Sequence, residues 1–235
     1  MECNVKRLEM VMTIILLGVS FVLFYVRGED VSVAIQGDRE ESSSYVVVLD
    51  AGHGASDSGK VGIHGELEKD INLAIVNYLK KELEENGVTV ILTREDDTPL
   101  YKESDSNKKL SDMKKRIEII ETVQPDIVVS IHQNSYTSKN VKGPQVFYYE
   151  TSVEGEKLAT AIQKSFDLVI GDENRRSIKG NKDYYLLIHT SCPIVITECG
   201  FLSNPEESSK LQTEEYQKAI AKAVGSGIME YLVNK

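Results

Sequence analysis

Residues 45–54 read Tyr45-Val46-Val47-Val48-Leu49-Asp50-Ala51-Gly52-His53-Gly54. A half-exposed strand would alternate apolar and polar side chains. An unbroken apolar run that stops at Asp-Ala-Gly is instead the signature of a strand covered on both faces. The chain then switches to helical period: Ile71, Ile75, Tyr78, Leu79 and Leu83 fall on one stripe, which Asn86-Gly87 closes with a C-terminal glycine. Val88–Leu92 is the next strand. Ser111 is placed to cap a helix carrying Met113, Ile117 and Ile120, and Pro125 precedes a strand over Ile127–Ile131. Gln145–Tyr149 reads as a strand, and Leu158, Ile162, Phe166 and Val169 line another helix. Ile194–Thr197 is a short buried strand. Asn204-Pro205-Glu206-Glu207 then supplies a cap, a first-turn proline and an N3 glutamate. Tyr216, Ala219, Ile220, Ala223, Ile228, Tyr231 and Leu232 give a final amphipathic helix. This alternation predicts an α/β fold: one domain with a central, mostly parallel twisted sheet flanked by helices, preceded by an N-terminal hydrophobic helix.

The whole chain has 235 residues, 27 basic and 37 acidic, for a formal charge of −10. With 41% apolar and 27% charged residues it has the balance of a water-soluble domain, not of a disordered chain or a polytopic membrane protein. The acidic balance gives no electrostatic reason to bind nucleic acid, which needs clustered Lys and Arg.

The N-terminus departs from that average. Met10–Val26 carries no charge and follows Lys6 and Arg7. As a helix it would span about 25 Å, close to a bilayer core of roughly 30 Å. A charge-free run behind two basic residues predicts export. The lack of an A-x-A site leans toward an uncleaved anchor over a cleaved signal peptide, and Lys6 and Arg7 against Arg27 give a weak positive-inside signal. The expected organisation is an anchor over 1–27, a solvated linker over 28–44 and a globular domain over 45–235, outside the cytoplasmic membrane. If Ile194–Thr197 is a strand, Cys192 and Cys199 stand about 23 Å apart. A disulfide spans roughly 7 Å at most, so both are expected as free thiols.

Four polar groups carry the chemistry. His53 follows the first strand, His132 ends Ile127–Ile131, Glu198 ends Ile194–Thr197, and Glu68 opens the helix after the glycine-rich loop from Gly52 to Gly65. In an open α/β sheet, ligands bind beyond the carboxyl ends of parallel strands, so these groups would converge on one edge. Two imidazoles and a carboxylate are the ligand set of a catalytic zinc that keeps a place for water, which His53, Glu68 and His132 can supply. Glu198 can supply the second carboxylate, a general base. Glu66 rivals Glu68 from two residues away. His64 and His189 read as ordinary surface or structural histidines. No serine nucleophile elbow and no H-E-x-x-H helix is present.

Taken together, Asp50–Gly54, Glu68-Lys69-Asp70-Ile71-Asn72-Leu73, Ser130-Ile131-His132-Gln133-Asn134 and Glu198-Cys199-Gly200-Phe201-Leu202-Ser203-Asn204 resemble, in order, the blocks of zinc-dependent N-acetylmuramoyl-L-alanine amidases. The resemblance runs from Tyr45 to the C-terminus. It implies cleavage of the amide between N-acetylmuramic acid and L-alanine in peptidoglycan. It implies one zinc held by His53, Glu68 and His132, choosing Glu68 over Glu66, with Glu198 as the catalytic glutamate. Asn134, and Arg94 in the Thr93-Arg94 block, match positions that imply substrate contacts. Ile188-His189 departs from the family pattern, where many members have an arginine. An anchor with one catalytic domain looks like the germination-specific amidases that act on spore cortex. A general autolysin and an inactive peptidoglycan-binding module are the competing readings. The expected partners are the stem peptide and glycan of peptidoglycan, the membrane through the N-terminal helix, and a regulatory protein. This last follows because His132 to Gln145 leaves only a short loop, too small for the occluding helix of the family's regulated members.

Overall fold

The computed structural model describes residues 45–170, 174 and 176–235. The hydrophobic run 10–26 and the linker 28–44 lie outside the described residues, as does the side chain of Val169. No helix among the described residues is long and apolar enough to cross a membrane.

Six strands form one sheet: β1 Val46–Ala51, β2 Thr89–Leu92, β3 Ile127–Asn134, β4 Gln145–Tyr149, β5 Lys179–Asn181 and β6 Ile194–Phe201, in the order β2-β1-β3-β6-β4-β5. β4 runs antiparallel to β6, and the other pairings are parallel. The helices are α1 Glu68–Glu85, α2 Lys108–Val123, α3 Val153–Ile170, α4 Tyr185–His189, α5 Pro205–Leu211 and α6 Glu214–Val233.

The predicted burial of the first strand has a simple cause. Val47, Leu49 and Ala51 pack with Ile71, Ile75, Leu79 and Leu83 of α1, together with apolar residues of α3 and α6. Val48, between them in sequence, packs on the other face with Ile120 of α2 and with Leu186 and Leu187 of α4. The same parity runs along β3 and β6: Val129 and Val195 lie on the side covered by α1, α3 and α6, whereas Val128, Ile194 and Ile196 lie on the side of α2 and α4. Even-numbered residues further along these strands therefore sit at the α2/α4 side of the carboxyl edge. These are Asp50, Ser130, His132 and Glu198, with Asp50 in register with Ser130 and His132 with Glu198.

The structure corrects several boundaries. α2 begins before Ser111, and its cap is Asn107, whose Oδ1 accepts from the Leu110 amide at 3.0 Å. β3 and β6 run past their predicted ends, through a register shift after the His132–Glu198 pair. Such an irregularity re-aims side chains at the end of a ladder, here beside the site. Asn204 does cap α5, its Oδ1 accepting from the Glu206 and Glu207 amides. Glu207 turns inward, away from the capping role of an N3 glutamate. Its carboxylate accepts from the Gly143 amide at 2.9 Å and the Phe201 amide at 2.8 Å, tying the β3–β4 connection to the end of β6. Cys192 and Cys199 are free thiols.

Candidate metal centre and active-site cleft

Beyond the carboxyl ends of β1, β3 and β6 lies a cavity of about 580 Å3. His53, Glu68, His132 and Glu198 line it together with Asn134, Tyr101, Met113 and Tyr184. One ligand atom from each of His53, Glu68 and His132 lies within 4.8 Å of the others.

Glu68 is the hub. It is the first residue of α1, where a negative charge is favoured by the helix dipole, and the fold buries it almost completely. Its Oε1 stands 3.2 Å from Nε2 of His53 and 3.0 Å from Nδ1 of His132, and accepts from the Gln133 amide at 3.0 Å. Oε2 accepts from the Lys60 amide at 2.7 Å. Burial alone would raise the pKa of this carboxyl, but the hydrogen bonds and charge of the two imidazoles hold it well below the usual range. Burial works against the charged form of His53 as well, and Glu68 and Asp57 outweigh it, so its pKa is raised. Glu66 lies apart from this group. Its carboxylate accepts from the Ser208 hydroxyl and the His64 amide, which removes it as a rival ligand.

The donor set suits a divalent cation. Two imidazole nitrogens and a carboxylate oxygen within one small sphere match the protein half of a catalytic zinc site. Space is kept for the donors by glycines: a Cβ on Gly52 would lie 2.3 Å from the His132 ring, and one on Gly59 would lie 2.5 Å from Oε2 of Glu68.

Glu198 faces the same space in a contrasting state. It is buried and its Oε2 has no hydrogen-bond partner. Burial pushes its pKa up to about 7; His132 works against this rise and Glu68 adds to it. A carboxyl poised near neutrality on a residue that lines the cleft can take up and return a proton.

Asn134 lines the cleft with its Oδ1 accepting from the Ser135 amide at 2.8 Å. Arg94 does not line it. Its guanidinium is buried under the His53 loop and donates to the carbonyls of Ala51 at 2.8 Å, Lys69 at 2.8 Å, Asp96 at 3.1 Å and Gly52 at 3.3 Å. The substrate contact expected of it therefore gives way to a structural one, because a buried guanidinium needs acceptors and the chain leaving β1 provides them. His64 is exposed beside Ser209, and His189 packs on Tyr185, both away from the ligand group.

Three groups at the site were not singled out in the sequence. Arg116, one of the largest fully buried side chains, donates to Asp50 at 2.6 Å, Asp112 at 2.7 Å, the Ala51 carbonyl at 2.8 Å and the His53 carbonyl at 2.6 Å. Asp57 reaches Nδ1 of His53 at 3.0 Å. Tyr184 stands on the cleft wall with its phenol pushed up to about 12 by burial and by the charges of Glu198 and Glu68, so it remains a neutral donor. The basic residue in the middle of α2 was the only signal available for Arg116, and it looks like any other helix surface charge.

Residues 47–230 match the family model described as N-acetylmuramoyl-L-alanine amidase. The germination-specific N-acetylmuramoyl-L-alanine amidase of Bacillus subtilis is 36% identical over 197 residues, which cover 82% of this chain and 82% of that protein. Among solved structures, the CwlD amidase of Clostridioides difficile, in complex with the GerS lipoprotein, matches with a TM-score of 0.79 at 40% identity, over 82% of this chain and 100% of that one. The catalytic domain of CwlV from Bacillus (Paenibacillus) polymyxa matches with a TM-score of 0.70 at 34% identity, over 81% and 99%.

Proposed function

Since the chain belongs to the N-acetylmuramoyl-L-alanine amidase family and is such an amidase, we propose that it works with one zinc held by His53, Glu68 and His132, and that it acts on spore cortex to allow the muramic lactam formation needed for germination. The observation that carries the zinc reading is the convergence of those three donors beside an unpartnered Glu198 oxygen. Support for the germination setting comes from the 36% identical B. subtilis relative, whose name is germination-specific amidase and which the match covers over 82% of its length.

A bound zinc supplies polarisation of the scissile carbonyl and acidification of a nearby water. Glu198 provides the proton transfers. Its Oε2 accepts a proton from the attacking water as the new C–O bond forms at the lactyl carbonyl carbon. It then returns that proton to the nitrogen of L-alanine as the C–N bond breaks, so water is added across the amide and Glu198 ends as it began. Tyr184, Asn134, Lys60 and Lys109 also line the cleft and are placed to bind the substrate there.

We place the domain outside the cytoplasmic membrane, exported and held there by the uncharged run Met10–Val26. A regulatory protein partner belongs to the same proposal. The C. difficile relative was solved in complex with a lipoprotein, and the connection between β3 and β4 here is too short to plug the cleft with a helix of its own.

The test is mass analysis of purified cortex peptidoglycan after incubation with the chain and zinc. Released stem peptides with a free L-alanine amino terminus are expected. Products cut within the stem peptide, with the lactyl amide intact, would overturn the assignment. Recovery of the protein in the cytoplasmic fraction would overturn the placement.

A further inference from the structure

We propose that Asp57 is a positioning residue for the metal centre: its carboxylate fixes the tautomer and tilt of His53 and so sets how tightly a divalent cation is held. This rests on the reading of His53, Glu68 and His132 as ligands.

The three ligands are not equally well supported by the fold. Glu68 begins a long helix and has two backbone amides on its carboxylate. His132 belongs to a central strand, with its ring packed over Gly52. His53 alone sits on a loop, and its backbone is left-handed, with φ 63°, followed by Gly54 at 142° and Ala55 at 51°. Side chains on such a turn need outside constraints to hold one direction.

Asp57 provides that constraint. The loop folds back through reciprocal hydrogen bonds between Gly54 and Asp57, 2.9 Å and 3.0 Å, which bring the Asp57 side chain next to the imidazole. Oδ2 then lies 3.0 Å from Nδ1 of His53, while Oδ1 accepts from the Gly59 amide at 3.1 Å. Lys109 of α2 approaches Oδ2 at 3.5 Å. With Nδ1 donating to Asp57, the Nε2 lone pair is left for the cation on the side of Glu68, 3.2 Å away. A carboxylate on the far nitrogen both orients a ligating imidazole and makes it a stronger donor.

Two N–H groups thus converge on one carboxylate, one from His53 and one from Gly59. The two use different oxygens, Oδ2 and Oδ1, and an amide keeps an acceptor at only one of those positions. Asp57→Asn must therefore either release the ring or present an N–H to Nδ1, which selects the tautomer that blocks Nε2.

Asp97 supplies the comparison needed to separate this effect from simple loop anchoring. Its carboxylate ties down the same loop through the Ala55 amide at 2.7 Å and the Lys69 ammonium at 2.6 Å, and touches none of the ligands.

The experiment is titration of the purified, metal-stripped full chain in detergent with zinc and with cobalt(II), against a chromophoric chelator. Asp57→Asn is expected to weaken metal binding about 10- to 100-fold, and Asp97→Asn to leave it at the parent value. Circular dichroism of the metal-free forms checks that each is folded. Should Asp57→Asn fail to fold, Asp57→Ser, which keeps an acceptor for Gly59, reads the same quantity. Parent-like affinity in the Asp57 variants would overturn the proposal, as would equal loss in the Asp57 and Asp97 variants. If His53→Ala also keeps the parent affinity, the ligand reading itself falls, and the proposal with it. If His53→Ala loses the metal while the Asp57 variants keep it, only the role of Asp57 is overturned.

Discussion

Asp50 and Glu198 are two buried carboxylates near the ends of neighbouring parts of one sheet, with β3 between their strands. Asp50 is fully satisfied. It accepts from Arg116 at 2.6 Å, Thr93 at 2.6 Å and Ser130 at 2.5 Å. Burial would raise its pKa, but the Arg116 charge and the two hydroxyls hold it far below the usual carboxylate range. Glu198 is also buried, yet one of its oxygens has no partner and its pKa rises to about 7. The difference is not burial but partners. A carboxylate with donors on both oxygens becomes part of the scaffold. One with an oxygen left unpartnered stores an unfavourable charge that is relieved when a proton arrives.

The largest effect should come from removing the proton acceptor of the second carboxylate. Glu198→Gln keeps the shape of the site but cannot take a proton from water, so turnover on peptidoglycan should fall by about 10²–10⁴-fold. Zinc content, measured by elemental analysis, should remain that of the parent. Near-parental turnover would show that the unpartnered oxygen has no part in the chemistry.

Breaking the scaffold carboxylate should show up in stability first. Arg116→Met leaves Asp50 buried without its counter-charge, and frees the Ala51 and His53 carbonyls as well. A loss of about 3–5 kcal/mol in denaturant unfolding is expected. An unchanged midpoint and slope would mean that Asp50 finds protons or water where the structure gives it Arg116.

The sign of the pH response separates the two carboxylates again. Burial pushes the Glu198 carboxyl up to about 7, well above the ordinary value of a glutamate. Its contribution to stability is therefore neutral below the lower value, becomes steadily more unfavourable as pH rises between the two, and reaches its full cost above the higher one. In the metal-free protein, Glu198→Gln should gain up to about 3 kcal/mol at pH 8 and little at pH 4. Asp50, with a lowered pKa, acts in the opposite sense, and its stabilisation is lost only on acidification below the ordinary carboxylate range. Equal stability changes for Glu198→Gln at both pH values would remove the contrast.

The smallest expected effect sharpens it. Thr93→Val deletes one of the three partners of Asp50 while keeping the shape of the side chain. A hydrogen bond to a charged group contributes about 1.5–3 kcal/mol. Loss within that interval, with no change in zinc content, is expected from thermal unfolding.

The strands and the site edge were legible in the sequence for the same reason. Tyr45–Leu49 and Ile127–Val129 are apolar throughout because helices cover both faces, and polar residues that interrupt such runs at their carboxyl ends mark where the cover stops. Harder to read were groups whose partners are remote along the chain. Arg116 meets Asp50 across 66 positions, and Glu207 meets Gly143 across 64. Ser111 was a reasonable cap by residue type, but Asn107 has the amide within reach. Arg94 carried the right residue type for binding an anionic substrate, and its burial beneath the loop was not visible in its neighbours. Asp57 stands only four residues from His53, yet that spacing has meaning only once the left-handed turn folds one onto the other.

By itself, then, the sequence determined the α/β class, the strand ends that carry His53, His132 and Glu198, and the family to which the chain belongs, because hydrophobic period and short motifs are local properties of a chain. Tertiary structure decided which polar groups are satisfied: that Glu68 gathers both imidazoles, that Asp50 is neutralised by Arg116, and that one oxygen of Glu198 is left bare. Hydrogen bonding and desolvation depend on what surrounds an atom in space, and only the packed sheet and helices fix those surroundings.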